Sequence, residues 1–270
     1  MQSASRLFFP VAFSSEEGHE LARSSVSSSM NPLSMTIHTR LETVPPRSPD
    51  KLFTVVWDID RTLINIDQIS KGTGTSFIYR PYALQSLGTL STEYPQIEFI
   101  IWTAGDVNHA AHVITDILHK NPDVRFDHII ARAPGEGTEY EQHSRKPLHL
   151  LKRDLGSVII VDDSVKICQS NAVNCIAVCA YEGSRSLREP DCDLFYVTQI
   201  IGLCASISSM RSVPFSEAMS GLPFLGWAML GDVKYRCINW NIKDKDSLQS
   251  AVDRSLKKLP YVHAMSHQRR

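Results

Sequence analysis

The sequence lacks the features that mark several classes of protein. Its 28 lysines and arginines balance 29 aspartates and glutamates to a formal net charge of −1, which excludes a general attraction to nucleic acid or to anionic membranes. Its six cysteines include no CxxC pair, and three of them lie among Val, Ile and Ala. Reduced core thiols are therefore expected rather than disulfides or a zinc site, and a reducing compartment, cytoplasmic or nuclear, is favoured.

Long apolar runs and phosphate-binding glycine loops are also missing. The longest apolar stretch, residues 194–207, contains Thr and Gln and is shorter than the ~18 residues that a membrane span needs, so no span is expected. Gly72 and Gly74 fit neither a GxGxxG spacing nor a GK[ST] ending, which favours a mobile loop over a nucleotide site.

The chain divides into three regions by composition. Residues 1–50 contain 11 Ser, four Arg and no Lys, and they predict a flexible tail outside the fold. The first thirteen residues have no acids, so a transit peptide and a mitochondrial location form the alternative reading of this tail. Residues 51–207 read as one domain. Residues 208–270 read as a C-terminal extension with an edge strand in GDVKYRCINWNI and a terminal helix over residues 244–259.

Short apolar runs alternate with helical patterns from residue 51 onward. The runs are rich in Val and Ile on both faces, as strands covered on two sides should be, and they occupy residues 52–57, 97–102, 128–131, 157–161 and 174–180. Helical spacing occurs in the segments between them, including KPLHLLKRDL. This alternation predicts an α/β fold with a doubly wound parallel sheet, whose active site lies at the carboxyl ends of the strands.

Two carboxylates follow the first strand. Asp58 and Asp60 stand two residues apart in VVWDIDRTL, and Thr62 can hydrogen bond the turn that holds them. Paired carboxylates at a strand end suit Mg²⁺, and one of them can act as a nucleophile while its partner acts as acid and base. Alone, a D-x-D sequence is more often a solvated turn or a helix cap.

Other strand ends support the functional interpretation. Thr103 follows the second strand, and the backbone N–H groups of Ala104 and Gly105 stand where a helix start could bind a phosphate oxygen. Asp162 and Asp163 follow the fourth strand, where a divalent cation would offset their repulsion with the first pair, one of them as a ligand.

A lysine completes this set. Lys146 opens the helix predicted for KPLHLLKRDL, and its ammonium could neutralise a phosphoryl group there.

These motifs, in this order, resemble those of the haloacid dehalogenase superfamily of aspartate-based phosphatases. The finer resemblance is to the branch of small C-terminal-domain phosphatases, which includes NLI-interacting-factor-like and Dullard-type phosphatases and a mitochondrial inner-membrane translocase subunit. Arg80 and Pro81 in YRPYALQSL, and the segment KPLHLLKRDLGSVIIVDDS, match that branch in register. The resemblance covers about residues 51–207.

The resemblance implies an Mg²⁺-dependent phosphomonoesterase that forms an aspartyl phosphate on Asp58. Asp60 would be the acid and base, and Thr103 and Lys146 would bind the phosphoryl group. Thr62, Ala104 and Gly105 are expected to contact the substrate. The metal would be held by Asp58, the Asp60 backbone carbonyl and the Asp163 position, with Asp162 directed towards a cation. Only about 17 residues separate Thr62 from Arg80, which leaves room for a short cap insertion alone, so a phosphoserine or phosphothreonine in a protein or peptide is the expected substrate.

Two other functions share these motifs. One is a binding or assembly protein that keeps the fold, like the translocase relative, and the other is a phosphatase of small molecules. Pro147, Lys152, Asp163 and Val165 stand where the branch typically has Asp, Gly, Asn and Pro, and these departures bear on the substrate rather than on catalysis.

Several further side chains have a structural reading. His109, His112 and His119 share one helical segment with no acid or cysteine to complete a metal site, which predicts a polar helix face. Lys152 and Arg153 are likewise expected on a solvated helix face.

Overall fold

A computed structural model of the chain describes residues 35–67, 76–136, 141–183, 191–220, 222, 225–230 and 233–238. Two sheets are formed. The larger contains eight strands: β1 (Ile37–His38), β2 (Phe53–Trp57), β5 (Ile97–Asp106), β6 (His128–Arg132), β7 (Val158–Asp162), β8 (Cys175–Ala177), β9 (Leu225–Leu230) and β10 (Val233–Ile238). The smaller is a hairpin of β3 (Ile64–Asp67) and β4 (Ser76–Tyr79).

Helices cover the larger sheet on both faces. The α-helices are α1 (Ala83–Glu93), α2 (Val107–Lys120), α3 (Glu141–Arg145), α4 (Val165–Ser170), α5 (Asp193–Arg211) and α6 (Phe215–Ser220). Single 3₁₀ turns occupy Leu41–Thr43, Leu148–Leu151 and Leu155–Ser157.

The strand order in the larger sheet is β1-β6-β5-β2-β7-β8-β10-β9, and every pairing in it except β9 with β10 is parallel. The chain leaves β2 towards β5 on one side and returns to β7 on the other, which is the switch in winding direction at which such folds bind ligands. The predicted doubly wound α/β fold is confirmed.

The central strands are apolar along their whole length because both of their faces are covered. In β2, Val55 and Trp57 belong to one buried cluster while Val56 belongs to the cluster on the opposite face. The same alternation holds in β7, where Ile159 and Ile160 point to opposite faces. Two separate cores therefore fix the register of the strands that carry the acids.

The prediction that residues 1–50 lie outside the fold is wrong for residues 35–50. Ile37 and His38 pair with Ile129 and Ile130 as the edge strand of the larger sheet. Leu41 and Val44 are buried in the core beneath it. Two strand residues followed by a 3₁₀ turn have no periodic pattern, which is why this segment resembles a tail in the sequence. Residues 1–34, like Gly72, Gly74 and the helix expected over 244–259, lie outside the described residues.

The extension expected from residue 208 is also part of the same architecture. Helix α5 continues to Arg211, and β10 joins the larger sheet beside β8 through the pairing of Cys237 with Ala177. The strand predicted in GDVKYRCINWNI is present as β10, but it is not the edge strand. The edge position belongs to β9, which pairs antiparallel with β10 and was not predicted from the sequence.

The helix expected for KPLHLLKRDL is absent from the described residues. The segment instead forms two 3₁₀ turns, Leu148–Leu151 and Leu155–Ser157, and Lys152 between them has a positive φ of 56°. Pro147 has no N–H to continue the preceding helix α3, and the Asp154 side chain caps the second turn through the Gly156 N–H.

The cysteine prediction is wrong for one pair. Cys168 in the last turn of α4 and Cys175 at the start of β8 form a disulfide, with Cα atoms 5.2 Å apart. Among the other four, Cys204 is buried, as expected for a core thiol. A spacing of seven residues across a helix end and a strand start gives no sign in the sequence that the two side chains meet.

Helix α5 contains the apolar stretch 194–207. It is long and apolar enough to cross a bilayer by length and composition, but 72% of its most apolar 18 residues is buried inside the protein, which is typical of a core helix. Among the described residues it is the one helix that meets this criterion.

Candidate active site

Asp58 lies directly after β2 and both of its carboxylate oxygens are held. Oδ1 accepts a hydrogen bond from the Lys146 ammonium at 2.5 Å, and Oδ2 accepts one from the Thr62 hydroxyl at 2.9 Å. The Asp58 backbone N–H continues the sheet by donating to the Val161 carbonyl. The carboxylate is 7% exposed, so its orientation is set by these contacts rather than by water.

Lys146 is fully buried between two acids. Its Nζ donates to Asp58 and, at 2.7 Å, to Oδ2 of Asp162. Burial alone would lower the pKa of Lys146, but the charges of Asp162 and Asp58 raise it well above the ordinary value, so the ammonium stays charged. Lys146 therefore links the ends of β2 and β7. It does so from a loop residue with a φ of 43° rather than from a helix start, which corrects the expected placement.

Three carboxylates gather around this lysine. Oxygens of Asp58, Asp162 and Asp163 lie within 4.8 Å of one another. Burial and the charge of Asp58 raise the pKa of Asp163 to about 6, and burial raises the pKa of Asp162 although Lys146 opposes the rise. Three carboxylates against one ammonium leave an excess of negative charge, and hard oxygen donors around such an excess fit Mg²⁺.

The acids have different parts in this cluster. Both oxygens of Asp162 are already bonded, Oδ2 to Lys146 and Oδ1 to the Ser164 N–H at 2.8 Å. The ion pair that Asp163 makes among the described residues is a longer one, with the Arg61 guanidinium 3.8 Å from its Oδ2. Of the two acids after β7, Asp163 is thus the better donor to a metal, and Asp162 positions the lysine.

The Asp60 side chain is not one of the three clustered carboxylates and has its own hydrogen-bond partners. Its Oδ1 and Oδ2 lie 2.8 and 3.0 Å from Nε2 of His109, and the Thr103 hydroxyl donates to Oδ2 at 3.4 Å. The hydrogen bond with Asp60 raises the pKa of His109, while burial opposes the rise. The Asp60 side chain is 37% exposed, so it is the most accessible acid of this group.

The predicted phosphate-binding segment after β5 differs from expectation. Strand β5 runs to Asp106, so Thr103, Ala104 and Gly105 form its irregular end rather than a helix start. Thr103 is buried and accepts a hydrogen bond from the Gly105 N–H at 2.9 Å. This N–H is therefore engaged within the protein, whereas Ala104 is exposed.

Thr62 joins two acids rather than reaching outward. Its hydroxyl donates to Asp58 and accepts the Asp163 N–H at 3.1 Å, and the side chain is fully buried. The prediction that it holds the turn agrees with this geometry. The expectation that Thr62 contacts the substrate does not agree with it, because the hydroxyl is buried and donates its proton to Asp58.

The protein-family comparison matches residues 53–211 to NLI interacting factor-like phosphatases. This match covers more than half of the chain. The chain belongs to that family. As an NLI interacting factor-like phosphatase of the haloacid dehalogenase superfamily, it carries its acids where the fold places an active site, and the predicted family is confirmed.

Two solved structures are similar to this chain. One is the fission yeast RNA polymerase II CTD phosphatase Fcp1 bound to beryllium fluoride, at 20% identity and a TM-score of 0.37, covering 64% of this chain and 55% of that chain. The other, described as Fcp1, an essential RNA polymerase II CTD phosphatase, has 19% identity and a TM-score of 0.36, with 64% and 54% covered. This chain of residues 1–270 thus spans little more than half the length of those chains. The search of curated proteins finds no significant match.

Two residues of this site are not predicted by the sequence. The predicted polar helix face is confirmed for His112 and His119, which are exposed. The prediction is wrong for His109, which contacts Asp60. A signal existed, because the Asp106 side chain caps α2 through the His109 N–H and so places His109 in the first turn beside the Thr103 segment. The second residue is Asn171, whose side-chain amide donates to the Lys146 carbonyl at 3.1 Å and which had no such signal in the sequence.

Proposed function

We propose that this phosphatase is an Mg²⁺-dependent phosphomonoesterase that transfers the phosphoryl group to Asp58 and acts on phosphoserine or phosphothreonine in proteins. The observation that carries the proposal is the double restraint of Asp58. Lys146 and Thr62 hold its two oxygens at the carboxyl edge of the sheet, beside Asp162 and Asp163. A buried carboxylate fixed in this way is a preorganised nucleophile rather than a surface acid.

The reaction would proceed in two steps. An Asp58 carboxylate oxygen attacks phosphorus, the bond from phosphorus to the leaving oxygen breaks, and Asp60 gives its proton to that oxygen. Water then attacks the phosphorus of the aspartyl phosphate while Asp60 takes a proton from it, which releases inorganic phosphate and restores Asp58. Asp60 suits this double task because its side chain is 37% exposed and is therefore open to substrate and water.

Charge is the other requirement of the reaction. Lys146 would partly neutralise the phosphoryl oxygens as well as the nucleophile. The residues that would hold Mg²⁺ are Asp58, Asp163 and the Asp60 backbone carbonyl, and the ion would supply further positive charge to the phosphoryl group.

A protein substrate is supported by the small size of the segment over the site. Between Thr62 and Arg80 the described residues contain only the β3 and β4 hairpin. A two-stranded hairpin encloses less of a ligand than a separate cap domain would, which favours a segment of a larger molecule.

Purified protein should hydrolyse an aryl phosphate and phosphoserine peptides with Mg²⁺ and lose this activity with EDTA. Asp58→Asn should leave no measurable turnover, because the uncatalysed hydrolysis of phosphate monoesters is slower by up to ~10²¹-fold than the enzymatic reaction. Acid quenching during turnover should trap a phosphoryl group on the peptide that contains Asp58. Activity that survives both EDTA and Asp58→Asn would refute the mechanism.

The same experiments address the two alternatives. Turnover of sugar phosphates or nucleotides far above that of phosphopeptides would indicate a phosphatase of small molecules. Full rescue of a deletion phenotype by Asp58→Asn would indicate a binding or assembly function.

A further inference from the structure

His109 makes a two-point contact with the acid that the proposed reaction uses twice. Its Nε2 lies 2.8 Å from Oδ1 and 3.0 Å from Oδ2 of Asp60. These distances are shorter than the 3.4 Å between the Thr103 hydroxyl and Asp60 Oδ2, the other side-chain hydrogen bond to this carboxylate among the described residues. The orientation of the Asp60 carboxylate therefore depends mainly on the imidazole.

The imidazole is itself held from three directions. Asp106 caps helix α2 by accepting the His109 N–H at 2.9 Å, which fixes the backbone beneath the ring. The ring of Phe77 on the β4 strand meets it edge to face, with centroids 6.2 Å apart. On a third side lies Gly105, where a Cβ atom would stand 2.5 Å from Cδ2 of His109. The site therefore leaves a space for this ring that any other residue at position 105 would reduce.

We propose that His109 is a positioning residue that holds the Asp60 carboxyl group in line with the leaving oxygen of the substrate. The inference rests on the proposed function. In that reaction Asp60 must direct one oxygen at the leaving group while its other contacts stay in place, and the two-point hydrogen bond from Nε2 restrains rotation of the carboxyl group. His109 touches neither the substrate nor Asp58 in this scheme.

Substrates with different leaving groups can distinguish the positioning role of His109 from a merely structural role. An aryl phosphate such as p-nitrophenyl phosphate releases a stable phenolate and needs little help from an acid, whereas phosphoserine releases a strongly basic alkoxide and depends on one. The ratio kcat/KM covers only the steps up to release of the alcohol, so it reports on Asp60 as an acid and excludes its later action as a base. A loss of kcat/KM confined to the phosphoserine peptide is thus the signature of a misplaced acid.

The experiment compares three variants on the two substrates. His109→Ala is expected to lower kcat/KM for a phosphoserine peptide by roughly 10²-fold and for p-nitrophenyl phosphate by less than about 10-fold. His109→Gln, whose side-chain amide can still donate to Asp60, should recover most of the lost kcat/KM. The matched control is His112→Ala on the same helix, where the side chain is exposed, and it should match the wild type on both substrates.

Each outcome bears on a different statement. If the wild type hydrolyses neither ester, the proposed function fails. If the wild type and His112→Ala hydrolyse both esters while His109→Ala shows no loss, or an equal loss on both that His109→Gln does not recover, only the inference about His109 fails. Thermal unfolding of each variant identifies a loss that comes from misfolding, and His109→Gln then decides the question because it keeps the size and hydrogen-bonding ability of the side chain.

Discussion

The Asn171 side chain donates a hydrogen bond to the backbone carbonyl of Lys146 at 3.1 Å. The same amide also reaches the carbonyls of Arg145 and Ile167, and its oxygen accepts the Leu148 N–H at 3.3 Å. Lys146 adopts a φ of 43°, which costs a residue with a side chain about 1 kcal/mol or more. Asn171 thus holds the strained loop that brings the buried ammonium to Asp58.

Replacing Asn171 should therefore impair catalysis through Lys146. We expect Asn171→Ala to lower kcat by roughly 10- to 100-fold, because small displacements of a catalytic group are costly. Asn174→Ala is the matched control: its amide also donates to two carbonyls, of Leu155 and Val158, but these lie away from Lys146. Steady-state kinetics and urea unfolding of both variants provide the test, and an equal loss of kcat in Asn174→Ala would show that stability alone is responsible.

Lys146 itself should be needed for turnover. Loss of the ammonium in Lys146→Ala is expected to lower kcat by ~10² to 10³, the scale of one preorganised electrostatic contact. Lys146→Arg should recover only part of it, because a planar guanidinium does not replace a compact ammonium between two acids. Lys166→Ala, a change at an exposed lysine on α4, serves as the control. A kcat near that of the wild type in Lys146→Ala would remove this residue from the site.

A buried ion pair at the opposite end of the sheet should make stability depend on pH. Burial alone would raise the pKa of Glu98, but hydrogen bonds from His128, Arg153 and Thr54 outweigh it and lower the pKa to about 2 from the ordinary 4.5. Arg153 donates to both carboxylate oxygens, at 2.7 and 3.2 Å. Arg153 is thus part of the core, contrary to the solvated helix face expected for it.

A lowered pKa of a carboxyl group gives stability that is complete above its unfolded pKa and is lost as the pH falls through the folded value. Glu98→Gln should accordingly lower the free energy of unfolding by about 3 kcal/mol at pH 7. The difference from the wild type should stay constant down to about pH 5 and shrink below 4.5. Glu217→Gln, at an exposed site, should show no such trend in urea unfolding across the same range, and a difference that grows with acid would contradict the assignment.

Gly202 permits α5 to pass close to the end of α1. A Cβ atom at this position would lie 2.5 Å from the Tyr94 hydroxyl oxygen and 2.8 Å from its Cζ. Overpacking of this kind costs about 1 to 3 kcal/mol, whereas alanine in a helix gains about 1 kcal/mol over glycine. Gly202→Ala should therefore lower the melting temperature in the wild type and raise it in a Tyr94→Ala background. Equal shifts in both backgrounds would exclude the contact as the cause.

The sequence predicts the central strands and the acids at their ends because both depend on local pattern. Strands covered on two faces are continuously apolar, and Asp58 and Asp162 then follow from the topology of parallel strands. The contact of His109 with Asp60 depends instead on how α2 packs beside the end of β5, which no local pattern records. For the same reason Arg153, in a segment predicted as helix, could not be recognised as the partner of Glu98 some fifty residues earlier in the chain.

Short elements were missed for a different reason. The two residues of β1 are too few to show alternation. The sequence around Lys146 resembles a helix start. It forms a loop because Pro147 cannot continue helix α3 and because Asn171 hydrogen bonds the Lys146 carbonyl.

The pairing of β1 with β6 determines where the folded unit can be shortened. A chain cut just before Phe53, where the family match begins, would uncover the backbone N–H and C=O groups of Ile129 and Ile130 along an apolar strand. An uncovered strand edge of this kind recruits other chains and leads to aggregation. The segment from Met35 to Asp50 therefore shields this strand from pairing with other chains, although it lies before the residues that the family match covers.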